Sequence, residues 1–262
     1  MLDFKNDRSK DLRGPTITVF LFFIAALLYA SVGFGGGSTY NALLILAEYD
    51  FRLIPIIALS CNVAVVLGNC LRYQMNDLIP WRFSIPLIAI SVPASFFGGS
   101  IQISEIMFMA LLGVALISTG ILMWFKPNKY EPEQKNRKHQ IYLNMAMSLL
   151  LGFLAGIIGI GGGIFFAPIL YLQNALPSKG ISAFSSVFIL VNSLAGIFGQ
   201  LYKNKHTVFD LAFNEYSLLI IAVILGGQIG NYFGVRIFSD AIVRRLTSVL
   251  VIYVGIRLII NI

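Results

Sequence analysis

The sequence predicts an all-α, polytopic integral membrane protein. It is expected to consist of two homologous repeats of about four transmembrane segments, the first segment of each broken at a glycine-rich run. Three observations carry this. The 262 residues are 57% hydrophobic and only 12% charged, whereas a soluble domain carries about 25% charge. Eight apolar stretches are long enough to test against a bilayer, whose core takes about 20 helical residues. And one glycine-rich phrase occurs twice: Gly33-Phe34-Gly35-Gly36-Gly37 and Gly159-Ile160-Gly161-Gly162-Gly163.

Taken in order, residues 1–15 hold Lys5, Arg8, Lys10 and Arg13 and read as a cytoplasmic N-terminal segment. The first repeat, 16–125, contains stretches at about 16–47, 53–73, 83–99 and 104–125. The polar link 126–140, with Pro127 and Pro132, closes helices and joins the halves. The second repeat, 141–262, contains stretches at about 141–172, 181–202, 213–234 and 240–261. The first and fifth stretches are too long for one straight crossing at about 1.5 Å per residue. Each must break, tilt or fold back, and the glycine runs sit where a break is needed. Apolar sequence resumes after the first run and continues to Ala47, so the opening stretch is not expected to be a signal peptide. Further landmarks keep the same order in both halves: Ser60-Cys61 and Ser185-Ser186, Gly98 and Gly230, Ser104-Glu105 and Ser239-Asp240.

The net charge of +7 fits basic loops on the cytoplasmic face better than nucleic-acid binding. Putting the N-terminal segment and the link on one face gives each long stretch one net crossing, hence parallel repeats. Two crossings at each glycine break would instead give five per half and inverted repeats. Arg236, Arg244 and Arg245 oppose the single-face assignment.

Consecutive glycines in mid-membrane make poor helix, and such backbone survives only where protein or water covers it. A covered glycine loop bares its N–H groups, and the helix after it presents a positive dipole end, which suits an anion. Paired glycine-interrupted segments point to a substrate site between repeats. Close packing of small residues explains Gly98, Gly99, Gly226, Gly227 and Gly230 well, and the consecutive runs poorly. The expected substrate-binding set is therefore Gly35, Gly36, Gly37, Ser60, Cys61, Asn62, Gly161, Gly162, Gly163, Ser185, Ser186 and Asn192. Asn69 and Gln200 read as glue between helices. Cys61 and Cys70 stand about 13 Å apart on one helix, too far for a bridge. No carboxylate lies near the middle of a span, and His139 and His206 fall in separate polar segments. The chain therefore offers no evident proton relay, metal site or cofactor site. It has no nucleophile–base pair, Walker loop or zinc-helix motif, so an enzyme is not expected.

The two G-x-G-G-G runs, each followed by an apolar helix (with Pro168 in the second), resemble the sulfite exporter TauE/SafE family of membrane transporters. So do the small-residue pairs Ser60-Cys61 and Ser185-Ser186, and the turn Asn76-Asp77-Leu78-Ile79-Pro80-Trp81. The resemblance covers essentially the whole chain. It departs at Ser60-Cys61-Asn62, where the family has a hydroxyl pair followed by an apolar residue. Membership implies a secondary transporter, in the exporting sense, of small sulfur-containing anions such as sulfite or sulfonated organic acids. It would sit in the cell inner (plasma) membrane and work by alternating access. The alternative reading is a passive anion channel. The expected partners are a small anionic substrate and the lipid bilayer, with a homodimer open to it and no nucleic acid.

Overall fold

The computed structural model describes residues 14–31, 33–124, 137–173, 175–203 and 208–233, with 248–249, 252–253, 255–256 and 258–260 toward the C-terminus. Most of the N-terminal segment, the link 126–140 up to residue 136 and much of the eighth stretch lie outside the described residues, as do His206, Arg236, Arg244 and Arg245.

Each long apolar stretch becomes two helices. The first gives α1 (Gly14–Ser31) and α2 (Gly37–Leu46), and the fifth gives α6 (Arg137–Ile158) and α7 (Gly163–Leu172). Between them run α3 (Ile54–Met75), α4 (Trp81–Ser100) and α5 (Glu105–Trp124), then α8 (Ser178–Lys203) and α9 (Val208–Phe233). The described residues contain no strand. Pro55 opens α3, where its missing N–H costs nothing. Ser104 precedes α5 and its Oγ accepts from Met107 N–H at 3.3 Å, a side-chain cap. Helices α3, α4, α5, α6 and α8 contain windows long and apolar enough to cross a membrane. Large apolar side chains on the outside, including Phe20, Ile85, Phe97, Phe198 and Leu218, are exposed. A surface of that kind suits lipid rather than water.

Packing fixes the helix directions. Ser148 donates to Leu87 O at 2.6 Å, and Gly152 and Gly156 lie against Ser91 and Ser95, so α6 runs parallel to α4. Ser95 donates to Asn192 O at 2.7 Å and Gly99 abuts Gly196, so α8 is parallel to both. Gly226 and Gly230 sit on Phe23 and Leu27, and Gly227 on Val65, so α9 is parallel to α1 and α3. Between these sets the direction reverses. Leu59 meets Gly196 near one end, while Tyr73 and Ser182 meet at Gly33 near the other. Thus α3 and α8 are antiparallel, and α1 and α6 begin at opposite ends of the bundle. The parallel arrangement favoured by the basic residues is not the one adopted. Each glycine break adds a crossing that a count of loop charges does not register. Gly98, Gly99, Gly152, Gly156, Gly226 and Gly230 all lie where a Cβ would collide with a neighbouring helix backbone, the close approach that small residues permit.

Candidate functional site

The glycine loops turn the chain back into the bundle. In the first half, Tyr29 and Thr39 hydroxyls bond at 2.8 Å, and the Tyr40 ring stacks on Phe22 with centroids 4.8 Å apart. Phe22 lies more than two turns before the end of α1, so α2 returns alongside it. In the second half, Gly162 stands beside Leu151 and Ala155 of α6. Phe166 of α7 packs edge-on to Phe184 and Phe188 of α8, with centroids 5.2 Å and 5.3 Å away. The reversal needs backbone that other residues resist: Gly161 and Gly162 take φ of 81° and 75°, the left-handed region.

The two loops meet at Asn62. Its amide nitrogen donates to Ile160 O at 3.2 Å, inside the second glycine loop. A methyl group on Gly35 would lie 2.5 Å from Asn62 Oδ1, and one on Gly37 would lie 2.5 Å from Nδ2. A methyl on Gly161 would lie 3.1 Å from both Asn62 Nδ2 and Ser193 Oγ. Ile189 of α8 closes the other side, touching the Cβ positions of Gly35, Gly161 and Gly163. Asn41 repeats the device: its amide donates to Ile158 O at 2.9 Å.

Around this junction polar atoms are left over. Asn62 Oδ1, Ser38 Oγ, Ser185 Oγ and Ser193 Oγ are buried and have no hydrogen-bond partner. Among the described residues, no backbone carbonyl accepts from the N–H groups of Gly35, Gly36, Gly37 or Ser38, nor from those of Gly161 or Gly162. Gly163 N–H is consumed by Gly161 O at 3.0 Å. Buried polar groups are ordinarily paired, so a cluster of unfilled donors at two helix starts is a ready cradle for an anion. Among the described residues, none of the side chains nearest the Cβ positions of the loop glycines is charged. Among the described residues, no three His, Cys, Asp or Glu side chains stand together as metal ligands.

The expected residues divide. Gly35, Gly36, Gly37, Gly161, Gly162, Gly163 and Asn62 come together, with Ser185 beside Gly163. Ser186 is turned to structural duty: its hydroxyl reaches Gly33 O and, at 3.0 Å, Ser182 O. Ser60 is half-buried on α3. Cys61 is buried in the main apolar core with Tyr40. The Asn192 amide donates to Ser91 Oγ at 3.0 Å and Phe188 O at 2.8 Å, tying α8 to α4, and its Oδ1 is buried without a partner. Gln200 straps α8 to α6 through Gly156 O at 2.9 Å. Ser38 and Ser193 join the site without having been expected. The signals were present: Ser38 directly follows the first glycine run and begins a polar tetrad, Ser38-Thr39-Tyr40-Asn41, and Ser193 adjoins Asn192.

Comparison with known proteins finds membrane transporters. The chain is 28% identical to a probable membrane transporter protein of Sinorhizobium fredii, over 90% of this chain and 95% of the relative. It is 26% identical to a probable membrane transporter protein of Methanocaldococcus jannaschii, over 79% and 80%. It also matches, at 26% identity, a protein of Arabidopsis thaliana named sulfite exporter TauE/SafE family protein 5, over 54% of this chain and 35% of that one. No solved structure matches the chain. The family model for sulfite exporter TauE/SafE covers residues 18–258, nearly the whole length, and the chain therefore belongs to this family of membrane transporters.

Proposed function

We propose that the protein is a secondary transporter that exports small sulfur-containing oxyanions, such as sulfite or sulfonated organic acids, across the plasma membrane. It would work by alternating access, with the substrate held where the two halves meet. The observation that carries this reading is the convergence of both glycine loops on Asn62, with unfilled backbone N–H groups on each side. A site built from both halves is one that their relative movement could open to either face. The family and the relatives' names support transport in general, and sulfite is the substrate that the family description names.

The test is flux in proteoliposomes. Purified protein should show saturable sulfite uptake and counterflow between labelled pools, and Gly36→Val or Gly162→Val should abolish both while the protein still inserts. Branched side chains block approach to the N–H groups without lowering apolarity. Non-saturating flux without counterflow would instead identify an anion channel. Wild-type flux in both variants would reduce the loops to packing devices.

A further inference from the structure

The anion reading above leaves the amide oxygen of Asn62 unexplained, as it does that of Asn41, and it is the Asn62 oxygen, at the meeting point of the loops, that specifies the anion. Asn62 donates from Nδ2 to the Ile160 carbonyl. A carbonyl only accepts, so the amide nitrogen must face it and Oδ1 must face the other way. Asn62 is fully buried, and nothing donates to Oδ1. The oxygen faces the first glycine loop, within 2.5 Å of a methyl on Gly35 and 3.1 Å of one on Gly37. The cradle therefore combines several backbone donors with one fixed acceptor. The second half does not duplicate that acceptor: by the register that aligns Ser60 with Ser185, Val187 stands where Asn62 does.

A fully deprotonated oxyanion carries only acceptors. Bound here, it would press a lone pair against the buried Asn62 Oδ1 and leave that oxygen unsatisfied. A dianion would also find no charged side chain among the described nearest neighbours of the loop glycines. We propose that Asn62 selects a monovalent oxyanion that keeps one O–H or N–H donor on or beside its anionic head. The donor bonds to Asn62 Oδ1, and the anionic oxygens take the N–H groups of Gly35, Gly36, Gly37 and Ser38. This rests on the anion site proposed above, and the experiment separates the two.

Sulfamate and methanesulfonate are suitable probes, because both are tetrahedral monoanions of nearly the same shape and differ by an amino group in place of a methyl. Calorimetry on the purified full chain in detergent should give sulfamate about tenfold tighter binding, the cost of leaving one buried acceptor unpaired. In Asn62→Leu the two affinities should converge. Where that variant fails to fold, the wild-type comparison decides alone. Equal affinities, or tighter methanesulfonate, overturn the donor requirement and leave the anion site standing. Binding of neither overturns both proposals. Thermal stabilisation by sodium chloride over choline chloride, with neither probe present, also overturns the donor requirement, since it gives Oδ1 to a cation.

Discussion

Replacing Gly161 by alanine tests the loop geometry most directly. Its φ of 81° costs an alanine about 1–2 kcal/mol. The new methyl would lie 2.9 Å from Ile189 Cγ2 and 3.1 Å from Asn62 Nδ2 and Ser193 Oγ. Crowding from three sides in a close-packed interior costs typically 1–3 kcal/mol. The lower entropy of the unfolded alanine chain returns about 0.4–1 kcal/mol. The net loss is roughly 2–4 kcal/mol, which at about 2–4 °C per kcal/mol for a chain of this size lowers the melting temperature by roughly 4–16 °C. Gly180→Ala is the control. In the first turn of α8 its methyl would meet only Leu176 Cβ at 3.6 Å and Pro177 Cδ at 3.7 Å, ordinary contacts. Alanine is the better helix former by about 1 kcal/mol, so this variant should melt at or above wild type. Both are read by thermal unfolding of purified protein in detergent, followed by circular dichroism. If Gly161→Ala melts within about 2 °C of wild type, or Gly180→Ala falls as far as Gly161→Ala, the loop is not the strained, enclosed junction described.

Two further outcomes follow from the packing. Asn192→Leu removes the bonds to Ser91 and Phe188 and should lower stability by about 1–3 kcal/mol with anion affinity unchanged in calorimetry, whereas Asn62→Leu should lose affinity. The helix directions predict that single cysteines at the exposed positions Arg52 and Lys179, in a Cys61→Ala, Cys70→Ala background, label from opposite faces of sealed vesicles; labelling from one face would refute the antiparallel α3 and α8.

How much of this the sequence disclosed depends on whether a property is local. The break in each long stretch was legible, because three glycines amid apolar residues leave few structural options, and the helices stop at Ser31 and Ile158. Asn62 was legible because an amide inside a span must find a partner. Asn192 is the same residue type in the same kind of setting, and only the helix face separates them. Asn62 turns to the loops, while Asn192 turns to α4. Ser38 and Ser193 were missed for a related reason. A single serine in an apolar helix usually bonds its own backbone, as Ser84 does to Pro80 O at 3.0 Å, and a neighbouring glycine run or asparagine is a weak signal against that default. The helix directions were least legible. They follow from contacts between residues far apart in the chain, and the charge pattern pointed the other way.

The lengths of α2 and α7 explain why those directions matter. Each has 10 residues, about 15 Å of helix, half of a roughly 30 Å hydrocarbon core. Helix α1 carries the chain to Gly33, beside Tyr73 near the end of α3, and the extended glycine segment then brings it back to Asn62 before α2 starts. The second half does the same from the other side: Gly159 reaches Pro55 at the start of α3, and Gly161 returns to Asn62. Two half-length helices therefore start in the interior and run outward in opposite directions. Their positive dipole ends both face the junction, and among the described residues no basic side chain is a nearest neighbour of its glycines. In the anion site proposed above, the attraction would come from backbone, and the inverted arrangement lets both helix starts supply it at one point. The reversal at each glycine run thus does two things at once. It adds the crossing that inverts the second half, and it delivers a helix N-terminus to the middle of the bundle.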